Sequence, residues 1–348
     1  AEKMILGDPS VVAKAIMGKA YGFQYTPVQR VSVLMEMWKS KKKPIAITVD
    51  AVCFDSCITP ADVARETELY ALASDQPDLV RALGKYYAGG PMINRNGVVV
   101  GMRECRASGV LTTSASNCIS AFLKVSAACR KVGIRDPSFL IHGDDVVIVC
   151  EREEVDPCPA LQVALGEYGY PCTPELHVSL DTAETCSARL AECSVWNGPV
   201  AKRAYFLTTD FRRVLARASA EYGDPVASAC GYVLMYPWHP LVRHLLLPHL
   251  LSLPFYKGSS VYERVVCEVA GNKLTFPLKL LPNILVGIHG PDCLRVVSDS
   301  AAVLTDTHKA LQAFSLKGLS YYRRKAGVLR VSMLRRGGEW ASLARSLL

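Results

Sequence analysis

Two adjacent aspartates stand inside a very apolar stretch of the chain, SFLIHGDDVVIVC at residues 138–150. The runs 139–141 and 146–149 are apolar on both faces and rich in β-branched residues, which is typical of strands buried within a sheet. The Gly-Asp-Asp segment between them is short enough for a tight turn. The sequence therefore predicts a buried β-hairpin with Asp144 and Asp145 at its tip.

An isolated Gly-Asp-Asp is most often a solvated turn, because glycine and aspartate are common turn residues. The apolar flanks favour another interpretation, since two carboxylates held in a buried hairpin repel each other unless cations are present. A third acid, Asp50, ends the apolar run IAITV, which also predicts a buried strand. Carboxylates at three strand ends offer the oxygen ligands that Mg²⁺ or Mn²⁺ prefers, and two such ions about 3.5 to 4 Å apart support phosphoryl transfer.

The composition is that of a folded, basic protein. Of its 348 residues half are hydrophobic, which is enough for two or three subdomains around a shared core. A formal net charge of +8 favours an anionic partner such as nucleic acid or a lipid headgroup. The thirteen cysteines include no CxxC pair, so we expect reduced thiols rather than a disulfide scaffold or a zinc site, in a soluble chain.

Asp55 lies five residues after Asp50 in the segment DAVCFD. If the strand ends near Cys53, Asp55 would lie beside the metal centre rather than in it. There a hydrogen bond to a sugar hydroxyl is a reasonable role. The local alternative is a cap for the helix that Thr59 and Pro60 are predicted to open.

The segment RASGVLTTSASN at residues 106–117 predicts a loop that leads into a helix. Thr113 and Asn117 are four residues apart and share one helical face, while Ser108 and Gly109 precede the helix start, where backbone amides are free. Such a group could hold a ribose and a template backbone. An ordinary Ser/Thr-rich helix start is the alternative.

The order and spacing of these motifs resemble motifs A, B and C of viral RNA-dependent RNA polymerases. They read Asp50-x4-Asp55, Ser108-Gly109-x3-Thr113-x3-Asn117 and Gly143-Asp144-Asp145. The segments YGFQYTPVQR, WKSKKKP, CRASGVLTTSASN, LTTDFRRVLAR and YPWHPLVR are similar to the polymerase that ends the polyprotein in the hepacivirus and pegivirus branch of the Flaviviridae. LTTDFRR and YPWHP lean towards pegiviruses. The resemblance covers essentially the whole chain.

The resemblance implies an α+β fold of the right-hand polymerase type, with a palm of antiparallel sheet and helices, partial fingers and a mostly helical thumb. The implied domains are an N-terminal fingers remnant (1–17), palm with motif A (18–57), a fingers insertion (58–111), palm with motifs B to E (112–196) and thumb (197–348). The chain is expected to be an N-terminally truncated fragment without the basic motif F segment or a C-terminal membrane tail, and to be inactive alone.

The resemblance also assigns roles to individual residues. Two metal ions would be held by Asp50 and Asp144, with Asp145 alongside. The ribose and the incoming nucleotide would be bound by Asp55, Ser108, Gly109, Thr113 and Asn117, and the triphosphate of the initiating nucleotide by Arg217. Primer or nascent RNA would be contacted by Cys193 and Ser194. Independently of the resemblance, the positive charge of Arg106, Arg212 and Arg213 makes these side chains candidates for contacts with RNA. Related hepaciviral enzymes have a basic residue at the position of Thr209. In this chain Arg212 or Arg213 would supply the missing positive charge.

The implied activity is RNA-directed RNA synthesis with two Mg²⁺ or Mn²⁺ ions and primer-independent initiation. The implied partners are single-stranded RNA template, nascent RNA, NTPs and other viral replicase proteins. The implied location is the host cytoplasm, on the cytoplasmic face of ER-derived replication membranes. Three alternatives stay open: a reverse transcriptase-like polymerase, a metal-dependent nuclease, and a non-catalytic RNA-binding scaffold of a replication complex.

Overall fold

The computed structural model describes residues 2–155, 158–197, 199–210, 225–251, 280–297 and 303–304. The chain forms two units. The first combines Ala1–Tyr25 with Ser32–Cys186, and the second combines Thr26–Val31 with Ser187–Leu348. Both helices and antiparallel sheets are present, in agreement with the predicted α+β class. The predicted ranges for fingers, palm and thumb stay predictions.

A four-stranded antiparallel sheet is the centre of the first unit, in the order β4-β5-β1-β6. Its strands are β1 (Pro44–Asp50), β4 (Ser138–His142), β5 (Asp145–Glu151) and β6 (Glu175–His177). The predicted hairpin is confirmed, because β4 pairs with β5 from Ser138 to His142 and leaves only residues 143–144 as the turn. Gly143 has φ +75°, a conformation that favours glycine.

Helices cover this sheet and bury its apolar side chains. They are α1 (Glu2–Leu6), α2 (Pro9–Met17), α3 (Pro27–Lys39), the short α4 (Phe54–Cys57), α5 (Pro60–Leu72), α6 (Pro77–Ala88), α7 (Thr113–Lys131) and α8 (Cys158–Glu167). Helix α7 contacts α2, α8 and β4, and its Ile119 is fully buried in the same core as Ile47, Ile141 and Ile148. The core thus fixes α7 against the strands that end in the acidic residues.

A capped helix and a second hairpin lie at the edge of this core. Helix α5 begins after Thr59 with the predicted capping box, since Thr59 and Asp62 hydrogen-bond each other's backbone amides. A hairpin of β2 (Gly90–Ile93) and β3 (Val99–Arg103) is also present. Asn96-Gly97 between two short apolar runs predicts a two-residue turn for this hairpin. The connection is longer, because the Asn94 side chain accepts hydrogen bonds from the amides of Asn96 and Val98 and so organises residues 94–98.

The second unit is built on a long antiparallel hairpin. The segments SARLAECSV and KRAYFLTT predict two strands that flank a turn. The corresponding strands, β8 (Ala188–Asn197) and β9 (Val200–Thr209), pair along their full length, and β10 (Val296–Val297) pairs with β8. A two-residue strand, β7 (Glu184–Thr185), precedes them in the first unit. The described part of the second unit includes the helices α9 (Pro225–Met235), α10 (Leu247–Leu251) and α11 (Leu281–His289), and a π-helical turn (Val242–Leu246).

Several predictions fall on residues outside the described ranges. They are the contacts of Arg212, Arg213 and Arg217, and a hairpin that the segment VCEVAGNKLTFPL predicts around Gly271. Within the described residues, no helix is both long and apolar enough to span a lipid bilayer.

Candidate active site

The strand register brings the three predicted acids together at one end of the central sheet. Asp50, the last residue of β1, lies opposite Asp145, the first residue of β5, and Asp144 is in the turn before it. Asp50 is exposed, and Asp144 and Asp145 are half-buried, so this group lies at the rim of the sheet rather than in its interior. Carboxylates so placed can meet a ligand that approaches from solvent.

These carboxylates repel one another. Burial, and next to it the charges of Asp50 and Asp144, raise the pKa of Asp145 to about 6. Burial and the charge of Asp144 likewise raise the pKa of Asp50. Each shift favours the protonated acid, so the negative charge at this end of the sheet is costly without a cation.

Two side chains that sequence reasoning missed hold the turn in place. The hydroxyl of the fully buried Tyr170 donates to the backbone carbonyl of Asp144 and, at 3.5 Å, to that of Val49. Cys118 on α7 accepts the amide hydrogen bond of Gly143, with 3.0 Å between Sγ and N. Tyr170 therefore ties the end of β1 to the turn, and Cys118 ties the turn to α7. Neither residue belongs to a pattern that a single sequence reveals.

Asp145 has a further partner in Cys186, which donates hydrogen bonds to its carboxylate from both side chain and backbone. Cys186 has φ +50°, in the left-handed region that few non-glycine residues adopt. Part of the capacity of Asp145 to bind a cation is thus taken up within the protein. This arrangement fits the predicted role of Asp145 alongside the metal site, with Asp50 and Asp144 as the direct ligands.

The fit of this group to divalent cations can be judged from its donors. Carboxylate oxygens suit Mg²⁺ and Mn²⁺, and the repulsion between Asp50 and Asp144 is what a cation would relieve. As the side chains stand, however, no three His, Cys, Asp or Glu residues in the described part of the chain are grouped as a metal-ligand set. The donors fit in chemistry and in backbone position.

A second group, which we call the outer cluster, consists of Asp55, Ser108 and Asn117. The carboxylate of Asp55, on α4, accepts hydrogen bonds from the hydroxyl of Ser108 and from Nδ2 of Asn117, the latter at 2.8 Å. Oδ1 of Asn117 is buried and has no hydrogen-bond partner among the described residues. The predicted convergence of these three residues is present, and one buried acceptor oxygen within it receives no hydrogen bond from the described residues.

The two other predicted substrate residues have backbone roles in the same loop. Thr113 donates from Oγ1 to the carbonyl of Ala107 at 3.0 Å, so it supports the loop that carries Ser108. Gly109 has φ +83°, a left-handed conformation that glycine adopts at little cost. Both residues thus shape the loop next to Ser108.

Arg106 departs from its predicted role. Its guanidinium is only 2% exposed and pairs with Glu66, whose side chain is 5% exposed, at 2.5 Å. Glu66 also accepts a hydrogen bond from Ser120 on α7. Because the charge of Arg106 is neutralised inside the protein, this geometry does not support the predicted contact with RNA. Arg106 was predicted to contact RNA because it is basic. The sequence could not predict its ion pair with Glu66, which lies forty residues earlier in the chain.

Comparison with known protein families matches residues 1–336 to the family described as viral RNA-dependent RNA polymerase. The chain belongs to this family. Two relatives, the genome polyproteins of hepatitis C virus genotype 1c isolates HC-G9 and India, are each 35% identical over 345 residues. The alignment covers 96% of this chain and 11% of each polyprotein, so the chain spans about a ninth of the relatives it matches. The predicted hepacivirus-like family is confirmed, and the lean towards pegiviruses stays a prediction.

In this polymerase-family chain, the predicted primer residues Cys193 and Ser194 lie on β8 of the second unit. Both are buried, and the Ser194 hydroxyl accepts a hydrogen bond from Arg203 at 2.7 Å. Thr209 is also buried and donates to the carbonyl of Ser187 at 2.8 Å. The contacts of Cys193 and Ser194 with a growing strand stay predictions.

Proposed function

We propose that this chain is the RNA-synthesising part of a viral polyprotein and copies RNA from an RNA template. One observation carries the proposal. The family's acidic residues meet at the rim of the central sheet, while the outer cluster forms from the segments that flank them in the chain. Repelling acids suit metal-assisted phosphoryl transfer, and polar groups with a spare acceptor suit a ribose.

The chemistry follows from these residues. The 3′-hydroxyl oxygen of the nascent RNA forms a bond to the α-phosphorus of an NTP, the bond to the leaving pyrophosphate breaks, and the hydroxyl proton passes to solvent. Asp50 and Asp144 would hold divalent cations, whose chemistry when bound is to activate the attacking hydroxyl and to stabilise charge on the phosphates. Asp145 stays next to them, restrained by Cys186.

The outer cluster would select the sugar. Asp55 orients the Ser108 hydroxyl and the Asn117 amide, and Oδ1 of Asn117 accepts the hydrogen of a ribose 2′-hydroxyl. A deoxyribonucleotide has no such hydrogen, so this buried acceptor would stay unpaired when it binds. The arrangement therefore favours NTPs over dNTPs. In reverse transcriptases a bulky side chain usually replaces the polar residues that bind the ribose, and that side chain would oppose the binding of NTPs.

The finer features of the proposal rest on family membership. The first unit would supply the palm and part of the fingers, and the second unit the thumb, in a right-hand arrangement that starts RNA without a primer. Two Mg²⁺ or Mn²⁺ ions, template and nascent RNA, NTPs and other viral replicase proteins would be its partners. Its place would be the cytoplasmic face of ER-derived membranes in the host cell.

A non-catalytic RNA-binding scaffold is the second candidate. The net charge of +8 suits it, and so does the finding that no ligand set of three is grouped among the described residues. The two candidates differ in what Asp144 does. A scaffold uses its positive charge alone, whereas a polymerase needs the carboxylate.

Incorporation of labelled NTPs into RNA tests the proposal. The chain would be assayed alone and within a longer segment of its polyprotein, with template RNA and Mn²⁺ or Mg²⁺. We expect incorporation that Asp144→Asn abolishes and that Asp75→Asn, a matched change at an exposed carboxylate, leaves intact. Incorporation that survives Asp144→Asn would overturn the metal assignment, and RNA binding without incorporation by either form would establish the scaffold.

A further inference from the structure

A buried group repeats the connectivity of the outer cluster. We call Glu66, Arg106 and Ser120 the inner cluster. Glu66 accepts hydrogen bonds from Arg106 and Ser120, just as the carboxylate of the outer cluster accepts from a loop serine and from a side chain of α7. In each cluster one carboxylate joins the same loop to the same helix.

The two clusters are also linked along the chain. Arg106 precedes Ser108 by two residues in one loop, and Ser120 follows Asn117 by three residues in α7, which places the two on one side of the helix. Glu66 is on α5, which starts three residues after the end of α4, the helix of Asp55. Each residue of the outer cluster therefore has a residue of the inner cluster nearby in the chain, in the same loop, in the same helix or in the helix that follows.

The inner cluster is the less deformable of the two. The guanidinium and carboxylate are almost fully buried, and separating them would leave a charge without water or a partner. Ser108, by contrast, is exposed. The loop next to Arg106 is fixed further, because the amide of Ala107 donates to the carbonyl of Tyr87 at 3.3 Å and its carbonyl accepts from Thr113.

We propose that Glu66 and Arg106 are positioning residues for sugar selection. Their buried pair holds the loop so that Ser108 stays in hydrogen-bonding reach of Asp55. They touch neither nucleotide nor RNA and act through Ser108. This inference rests on the proposed function, since it assigns a source of specificity to the same site.

The test removes the pair and measures the sugar preference. Glu66→Gln combined with Arg106→Met eliminates both charges, keeps the side-chain volumes similar and avoids an unpaired buried charge. We expect the ratio of kcat/KM for NTP to that for 2′-dNTP to fall about tenfold, the worth of one well-made hydrogen bond. The fall should come mainly from a higher KM for NTP, with kcat for 2′-dNTP unchanged.

Two further variants separate positioning from general damage. In a Ser108→Ala background, the double replacement should cause no additional loss of sugar preference, because its effect passes through Ser108. Lys41→Met is the matched control. Lys41 is a buried cation paired with Asp136 beyond the opposite end of β1 from Asp50, so this change should lower stability and leave the ratio unchanged. The inference would be overturned if the losses of sugar preference caused by Ser108→Ala and by the double replacement were fully additive. It would also be overturned if the double variant kept the NTP to 2′-dNTP ratio of the unaltered chain.

Hydrogen exchange gives a readout that needs no activity. Deuterium uptake of residues 104–112 should become about tenfold faster in the double variant, while the β4–β5 hairpin keeps its protection. If the unaltered chain binds and incorporates no nucleotide, the proposed function fails, and the exchange result still decides whether the pair holds the loop. Unchanged uptake in residues 104–112 would refute positioning by the pair.

Discussion

Glu66 and Asp145 are acids of the same unit, but their nearest charged neighbours have opposite signs. Burial raises the pKa of both, but Glu66 has the charge of Arg106 to oppose the rise, whereas the charges nearest Asp145 are those of Asp50 and Asp144. Within the described residues, no lysine or arginine forms an ion pair with the three acids at the sheet rim.

The difference separates an acid that is neutralised within the fold from acids that are left to bind a cation. A carboxylate with its own cation inside the protein stabilises the fold and offers nothing to a ligand. Carboxylates that are grouped without a cation destabilise the free protein and attract one from solution. The contrast makes each cluster's response to substitution, pH and divalent ions predictable.

The largest effect is expected from Asp50→Asn at the sheet rim. Losing one metal ligand should reduce NTP incorporation by about a thousandfold, the equivalent of several kcal/mol of transition-state stabilisation. Without divalent ions the melting temperature should stay the same or rise slightly, because one of three repelling carboxylates is gone. A melting temperature several degrees lower under those conditions would contradict this account of the rim.

Arg106→Met should show the opposite behaviour. It leaves the carboxylate of Glu66 buried without its cation, so the free energy of unfolding should fall by about 3 to 5 kcal/mol in urea titrations. Adding Glu66→Gln should restore most of that loss, since both charges are then absent. A double variant as unstable as the single one would mean that lost packing, rather than the unpaired charge, controls stability here.

The rim acids predict a dependence of stability on pH. The folded-state pKa of Asp145 is about 6, above the ordinary value for aspartate, so the folded chain binds more protons than the unfolded chain between these values. The free energy of unfolding should therefore decrease as pH rises from about 4 to about 6, by about 1 to 2 kcal/mol because Asp145 keeps partial contact with solvent.

Urea titrations at several pH values, without divalent ions, would measure the free energy of unfolding of the unaltered chain and of Asp145→Asn. The difference between the two pH profiles is the contribution of Asp145. Mn²⁺ should stabilise the unaltered chain most at the upper end of this range, where the carboxylates are ionised. Identical pH profiles for the two proteins would show that the charges at the rim are not coupled to folding.

The smallest effect is expected from Asn117→Ala in the outer cluster. The preference for NTP over dNTP should weaken about fivefold, because one hydrogen bond of about 1 kcal/mol to the 2′-hydroxyl is lost. Single-nucleotide incorporation with matched NTP and dNTP would measure the ratio. Unchanged selectivity would remove Asn117 from sugar recognition.

Local patterns explain which parts of this fold could be predicted. The apolar flanks of Gly143 and the apolar run before Asp50 each predict a strand with an acid at its end, and Thr59 with Asp62 predicts a capped helix. These features depend on neighbours within a few residues. The meeting of Asp55 with Ser108 and Asn117 was expected only through the family resemblance, because residues more than fifty positions apart leave no local signal.

Roles that depend on a distant partner could not be predicted from local patterns. Arg106 was assigned to RNA on its charge, yet Glu66 neutralises it. The roles of Tyr170, Cys118 and Cys186 in holding the acidic turn were not visible at all. Each is a single side chain whose hydrogen bond crosses between elements, and its partner is fixed only when the core packs.

The amino-acid sequence by itself determined the polymerase family of this chain, because the order and spacing of its motifs resemble those of the family. It also determined the acidic hairpin and the strand that ends in Asp50, because apolar periodicity and turn residues act over short distances. Only the tertiary structure decided which charges are neutralised within the protein and which are left for a ligand. A side chain's charge state and partners depend on what packing excludes from water, and that is a property of the assembled core.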